Sequence, residues 1–139
     1  MYQLFNRRRM VLAIVASLAG TPAVAGTAVG MLTGLEQAAR QIEPGFKGLS
    51  AERGAQFFKS THGAEWSCAS CHTASPATQG KHVRTGKLIA PLAPAANAER
   101  FTNPDKVEKW FRRNCNDVLN RACTASEKGD VLAYLMTIK

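Results

Sequence analysis

The segment CASCH, Cys68 to His72, limits what this chain can become more than any other stretch of it. Two cysteines three apart, with a histidine directly behind, form the attachment pattern of a c-type haem. The thiols add across the porphyrin vinyl groups as thioethers, and the histidine on the same short turn comes under the iron as an axial ligand. Other uses of a close cysteine pair fit less well. A structural zinc site needs four ligands, usually as two close pairs, and Cys115 and Cys123 are too far apart to make a second pair of that kind. A thioredoxin-like dithiol wants a strand before it and a helix after it, whereas Thr61, His62 and Gly63 precede this motif and Pro76 and Gly80 follow it. One covalent haem c on Cys68, Cys71 and His72 is therefore expected, and the domain has to be built around it.

The start of the chain agrees, because such a haem is attached outside the cytoplasm. Arg7, Arg8 and Arg9 precede about ten mostly apolar residues from Met10 to Ala19, followed by Pro22 and the small-residue run Ala23, Val24, Ala25, Gly26. This is the layout of a secretory signal cleaved after Ala25. An uncleaved anchor would need about 20 apolar residues, and Gly20, Thr21 and Pro22 interrupt this run. The arginines loosely resemble a twin-arginine signal, but haem attachment to an unfolded chain makes ordinary unfolded export the coherent route. Residues 1–25 are read as a signal peptide and 26–139 as one periplasmic domain that does not span the membrane. That domain has enough residues for a core, especially with a haem to wrap. Losing three arginines and no acid lowers the net charge from +8 to +5. No long basic run is present and the compartment holds no nucleic acid to bind. The surplus is read as a solvated face, with docking to an acidic redox partner as its functional reading.

Hydrophobic periodicity predicts an all-α domain. Met31, Leu35, Ala38 and Ile42 recur at helical spacing until Pro44 and Gly45 end the segment, giving a leading helix. Ser50 caps a second helix, with Glu52 in its first turn and Ala51, Gly54, Ala55 and Phe58 on one face. Thr124 and Glu127 form a capping box that opens a last helix with the stripe Val131, Tyr134, Leu135, Ile138, expected to cross the Gly54 face. Between His72 and Asn103 runs a long loop bearing Pro76, Pro91 and Pro94; a loop of this length in a small domain is expected to cover something, and the haem is the candidate.

The remaining helix, NPDKVEKWFRRNCNDVL, carries the question of what faces the iron opposite His72. Asn103 caps it, Pro104 lies in its first turn, and Val107, Trp110, Phe111, Val118 and Leu119 make an apolar stripe interrupted by Asn114. A buried amide without partners costs about 1 to 3 kcal/mol, so backbone, a haem propionate or the iron itself should satisfy it. The pattern alone leaves these open. Met31 and Met136, the methionines of the mature chain, lie outside the covering loop, which argues against the His/Met pair of ordinary cytochromes c. His82 lies in that loop and competes for the sixth position, although Lys81 and Arg84 beside it suggest solvent. His62 reads as a surface histidine.

The run RTGKLIAPLAPAANAERFTNPDKVEKWFRRNCNDVLNRACTASEKGDVLAYL, with ERGAQFF and CASCH, resembles the sphaeroides haem protein family across most of the mature chain, weakly before Glu52. The cytochrome c″ of methylotrophs is a related branch. The resemblance implies a class I cytochrome c fold with a covalently bound haem, here with an extra N-terminal helix. It implies that the residue just before the first of two disulfide-bonded cysteines is the distal ligand, released when the iron is reduced. That position is Asn114, where the cytochrome c″ branch carries histidine, and the paired cysteines are Cys115 and Cys123, in keeping with export and an even cysteine count. The resemblance further implies electron transfer and the binding of oxygen, nitric oxide or carbon monoxide at ferrous haem, leaving open whether oxygen or nitric oxide also reacts there. A dihaem cytochrome c and a membrane cytochrome b are the implied redox partners. Two alternatives stand beside it: an electron shuttle whose sixth ligand never leaves, and a gas-sensing or accessory haem subunit.

Overall fold

The computed structural model describes residues 23–139; the greater part of the expected signal peptide, residues 1–22, lies outside the described residues. Five helices and one minimal hairpin follow in the order α1 (Ala23–Ile42), α2 (Ala51–Lys59), α3 (Cys68–His72), β1 (Gly80–Lys81), β2 (Leu88–Ile89), α4 (Pro104–Leu119) and α5 (Ala125–Thr137). The strands pair antiparallel, Gly80 opposite Ile89 and Lys81 opposite Leu88, inside the long loop. Among the described residues no helix is long and apolar enough to cross a membrane.

Helix ends fall where side chains can take up orphan backbone groups. The Ser50 hydroxyl accepts from the Arg53 amide at the start of α2, and Asn103 accepts from the Lys106 amide at the start of α4. At α5, Thr124 accepts from the Glu127 amide while the Glu127 carboxylate accepts from the Thr124 amide at 2.8 Å, a complete capping box. Asn120 closes α4 in the left-handed conformation at φ 55°.

The core forms where α2 and α1 lay their apolar faces on α5. Phe58, Leu132 and Leu135 are its largest fully buried side chains, joined by Ala28, Phe101 and Val131. Gly54 faces Asp130 across the α2–α5 crossing: a Cβ there would run into the Asp130 carbonyl, so the two backbones meet without an intervening side chain. The Asp130 carboxylate accepts from the Ser50 amide at 2.6 Å and from Arg53 Nε at 2.8 Å, fixing the start of α2 against α5. Leu132, fully buried, lies outside the stripe expected for α5; this helix is covered on two sides, by α1 and by α2, and so buries more than one stripe. On α1, Ala28 and Ala39 are buried while Ile42 is 69% exposed, since the chain turns away through Pro44 and Gly45 directly after it.

Backbone approach is close between α5 and its two neighbours and slight for α4. That helix is held by side chains instead: Val107 and Phe111 reach the core cluster, and Lys128 Nζ of α5 bonds to Glu108 at 2.9 Å. Trp110, expected on the buried stripe, is 45% exposed, with the Arg113 guanidinium 5.7 Å from its ring centroid. At about 100° per residue, Val107, Phe111, Cys115 and Val118 centre the buried face of α4, and Trp110 falls on its flank.

Because the crossing at Gly54 leaves no space, Gly54→Ala is expected to lower stability by about 2 to 3 kcal/mol, the upper range of overpacking costs. Thermal unfolding followed by circular dichroism would show a fall in Tm of several degrees, whereas Gly34→Ala, on open surface of α1, should not.

Candidate haem site

The CASCH turn is pinned before any cofactor is considered. Ser67 caps α3: its hydroxyl accepts from the Ser70 amide at 3.2 Å, and the Ser70 hydroxyl accepts from the Ser67 amide at 3.0 Å. The turn therefore holds Cys68 and Cys71 three residues apart, on neighbouring positions of one helical face, with His72 next in line. The chain leaves α3 at Thr73 with φ at 63°, stabilised by the Thr73 hydroxyl donating to the Ser75 carbonyl at 2.7 Å. Gly80 of β1 lies against the Cys71 carbonyl, and no side chain would fit between them. The hairpin is thus seated directly on the motif.

The long loop closes by its own hydrogen bonds. The amides of Leu92 and Ala93 both donate to the Pro76 carbonyl, at 2.8 and 3.0 Å. Asn97 Nδ2 and Arg100 Nε both donate to the Pro91 carbonyl. These ties bring Leu92 and Phe101 to the same cluster as Phe58, Cys68 and Ala69, to which Val107 and Phe111 of α4 also belong.

Cys68 and Cys71 are free thiols. Burial pushes the Cys68 thiol up to about 11, so it stays protonated. Burial, followed by the nearby positive charge of Arg100, brings His72 down to about 4, so its imidazole is neutral and keeps a lone pair for a metal. The Phe58 ring lies 6.4 Å from the His72 ring, centroid to centroid. Two thiols with helical spacing, a neutral imidazole beside them and an aromatic shell fit a thioether-bound haem. Among the described residues no three His, Cys, Asp or Glu side chains gather into a metal cage, which leaves no zinc site to compete.

The candidates for the sixth position divide by what their polar atoms already do. His62 Nε2 lies 2.8 Å from the Phe57 carbonyl and the ring packs against Phe57 at a 45° tilt, so this imidazole is engaged away from the motif. His82 Nδ1 accepts from the amides of Arg84 and Thr85, which ties the ring to its own hairpin turn. Met31 packs on the core from α1, and Met136 is exposed near the end of α5. The Asn114 side chain is half-buried, makes no hydrogen bond among the described residues, and keeps its polar atoms open to solvent, so it is not the fully buried amide that the stripe suggested. It stands about one turn from Phe111 and about two from Val107, on the stripe that reaches the Cys68 cluster. Its neighbour Cys115 is joined to Cys123 by a disulfide, with Cα atoms 5.6 Å apart.

Comparison with known proteins matches this geometry to relatives of defined chemistry. Residues 44–135 fit the family model described as a domain of unknown function, DUF1924. Cytochrome c″ of Methylophilus methylotrophus is 54% identical over 80 residues, 58% of this chain and 56% of that protein. The cytochrome c-type protein SHP of Cereibacter sphaeroides is 45% identical over 130 residues, 89% of this chain and 95% of that one. The chain belongs to the SHP and cytochrome c″ family. The solved structure of oxidised cytochrome c″ superposes with a TM-score of 0.72 at 42% identity, over 82% of this chain and 96% of that one. Oxidised SHP superposes at 0.71 with 44% identity, over 79% and 96%. The fold is accordingly the all-α cytochrome c fold, the protein is a haem protein of the c-type cytochrome class, and covalently bound haem c is the cofactor of that class. Cys68 and Cys71 would hold it by thioethers, with His72 as an axial ligand.

Sequence reasoning missed two supports of the site. The Ser67–Ser70 box has serine where a capping box normally carries Glu or Gln, so only the hydroxyl identity hinted at it. Arg100 had no signal, because its electrical proximity to His72 comes from the path of the loop and not from spacing.

Two outcomes follow from this arrangement. His72→Ala, or Cys68→Ala with Cys71→Ala, should abolish stable haem binding and leave the protein largely unfolded; a pyridine haemochrome assay with circular dichroism checks both, and a well-folded apoprotein of native compactness would contradict the second. Replacing Cys115 and Cys123 by serine opens a loop of 8 residues' separation. About 2 to 3 kcal/mol of stability should be lost in denaturant unfolding, and protein isolated with the bond intact should resist alkylation at both positions until reduced.

Proposed function

We propose that this protein is a periplasmic monohaem cytochrome that transfers electrons and, once reduced, binds a diatomic gas after Asn114 lets go of the iron. The observation that carries this reading is the half-buried Asn114 amide, on the apolar stripe of α4, without a protein partner among the described residues. Two relatives support it: SHP is described as an oxygen-binding cytochrome c, and the solution structure of cytochrome c″ is described in terms of haem-ligand detachment.

An amide oxygen is a weak, hard donor that suits ferric iron better than the softer ferrous ion. Asn114 would hold the iron of a bound haem on the side away from His72 in the oxidised protein, and would leave room on reduction for oxygen, nitric oxide or carbon monoxide. The haem supplies the redox couple and the gas-binding metal. The protein's part is to hold His72 on one side and present a ligand weak enough to leave on the other. The disulfide at Cys115, one residue on, restrains the backbone next to Asn114. Export is supported by the leader pattern of residues 1–25 and by the disulfide, a bond that persists in oxidising compartments. A dihaem cytochrome c and a membrane cytochrome b are the proposed redox partners, met through the mildly basic surface.

Absorption spectra test the ligand assignment. The ferrous wild type should be five-coordinate, high-spin and quick to bind carbon monoxide. Asn114→His should turn the ferric form low-spin, because imidazole is the stronger donor, and Asn114→Ala should open the ferric site to water and added anions. If Asn114→Ala leaves the ferric spectrum and the gas-binding rates unchanged, Asn114 is only a core amide and His82 becomes the residue to examine. A ferrous protein that stays low-spin and refuses carbon monoxide would make the chain a simple shuttle.

A further inference from the structure

Arg100 is a half-buried cation for which the described protein supplies no anion. It ends the long loop, next to the buried Phe101. Its Nε donates to the Pro91 carbonyl at 2.8 Å and its Nη2 to the Ala90 carbonyl at 2.6 Å. These contacts aim the guanidinium without neutralising it. Arg40, Arg53, Arg121 and Lys128 each bond to a carboxylate. Arg100 meets none among the described residues, and Glu99, the adjacent acid, is exposed and forms no ion pair with it.

Exposed cations such as Lys106, Lys109 and Arg112 lose little by standing alone, since water screens them. Arg100 is different. Burial lowers the pKa of its guanidinium below the solvated value, and the loop carries it beside Phe101, which packs in the same cluster as Cys68 and Ala69. A half-buried guanidinium is only partly screened by water, and its planar fork matches a two-oxygen acceptor. Of its five N–H groups, those on Nη1 are uncommitted to any acceptor among the described residues. A haem bound at Cys68, Cys71 and His72 would bring carboxylates of its own to the border of that cluster.

We propose that Arg100 binds one carboxylate of the haem, so that the fork neutralises that propionate and keeps it ionised. This rests on the haem-bound reading of Cys68, Cys71 and His72. Arg100 is then a positioning and tuning residue: it orders the loop through Pro91 and Ala90 and sets the charge felt by the iron.

The test uses holoprotein carrying haem labelled with carbon-13 at its propionate carboxyls, titrated by NMR between about pH 4 and 8, around the range of ordinary carboxylic acids. In the wild type one carboxyl should stay ionised in the acid range where the other protonates. In Arg100→Gln the two should titrate close together, the midpoint potential should fall because a positive charge near the iron is lost, and the potential should gain a dependence on pH as the freed carboxyl titrates. Arg100→Lys, which keeps the charge, should restore most of the separation. Wild-type carboxyls that protonate together overturn the proposal without any variant. So does an Arg100→Gln protein that melts earlier but keeps the wild-type titration and potential, since that is the signature of a loop tie alone. If Arg100→Gln does not mature, the wild-type titration and the Lys variant still decide. A pyridine haemochrome spectrum of each sample reports thioether attachment separately, so a failure of the haem reading is seen there and not mistaken for a failure at Arg100.

Discussion

The meeting of two backbones, Gly54 of α2 on the carbonyl of Asp130 in α5, is the contact from which the site is built outward. Without a side chain at position 54 the helices lie flush, and the Asp130 carboxylate then binds the Ser50 amide and Arg53, so α2 can neither slide nor swing. Four residues beyond Gly54, Phe58 is carried into the core and its ring faces His72. The CASCH turn takes its place from this aromatic floor, on which Cys68 and Ala69 pack, from its Ser67–Ser70 box, and from Gly80 pressed on the Cys71 carbonyl. A methyl group at Gly54 would displace the whole series, because close-packed interiors transmit such shifts instead of absorbing them.

The opposite wall is held by different means. Alpha4 makes little backbone contact with the other helices; a disulfide at Cys115, an ion pair from Lys128 to Glu108 and two apolar side chains fix it. Crosslinking also puts a constraint next to Asn114, the residue proposed to move. The loop between the two walls is ordered from within, through the carbonyls of Pro76 and Pro91, and brings Arg100 to the electrical neighbourhood of His72.

Polarity in this domain is distributed by function. Asp130, nearly buried, is fully satisfied by Ser50 and Arg53 and serves the fold. His62 and His82 bond to nearby backbone groups and serve their own turns. Asn114 and Arg100 are both half-buried, and the protein leaves them respectively without a hydrogen bond for the side chain and without a counter-ion among the described residues. Neither residue seals an unpartnered polar atom away from solvent, and both fall on elements whose neighbours pack with Cys68, Phe101 beside Arg100 and Phe111 on the helix of Asn114.

By itself the sequence determined the haem motif, the helical class, the caps at Ser50, Asn103 and Thr124, and the polar break at Asn114. Each of these is written in residue type and local spacing, which is all that covalent attachment, capping and periodicity require. It also carried the close approach at Gly54, since a glycine on an apolar helical face has few other uses. Only the tertiary structure decided which faces were buried twice or not at all. Leu132 is buried because α5 is covered on two sides, and Trp110 is half exposed because it flanks the inner face of α4. Tertiary structure alone likewise gave His62 and His82 their backbone partners and brought Arg100 near His72 from 28 positions away. Such relations depend on the path of a loop through space, and spacing along the chain does not encode that path.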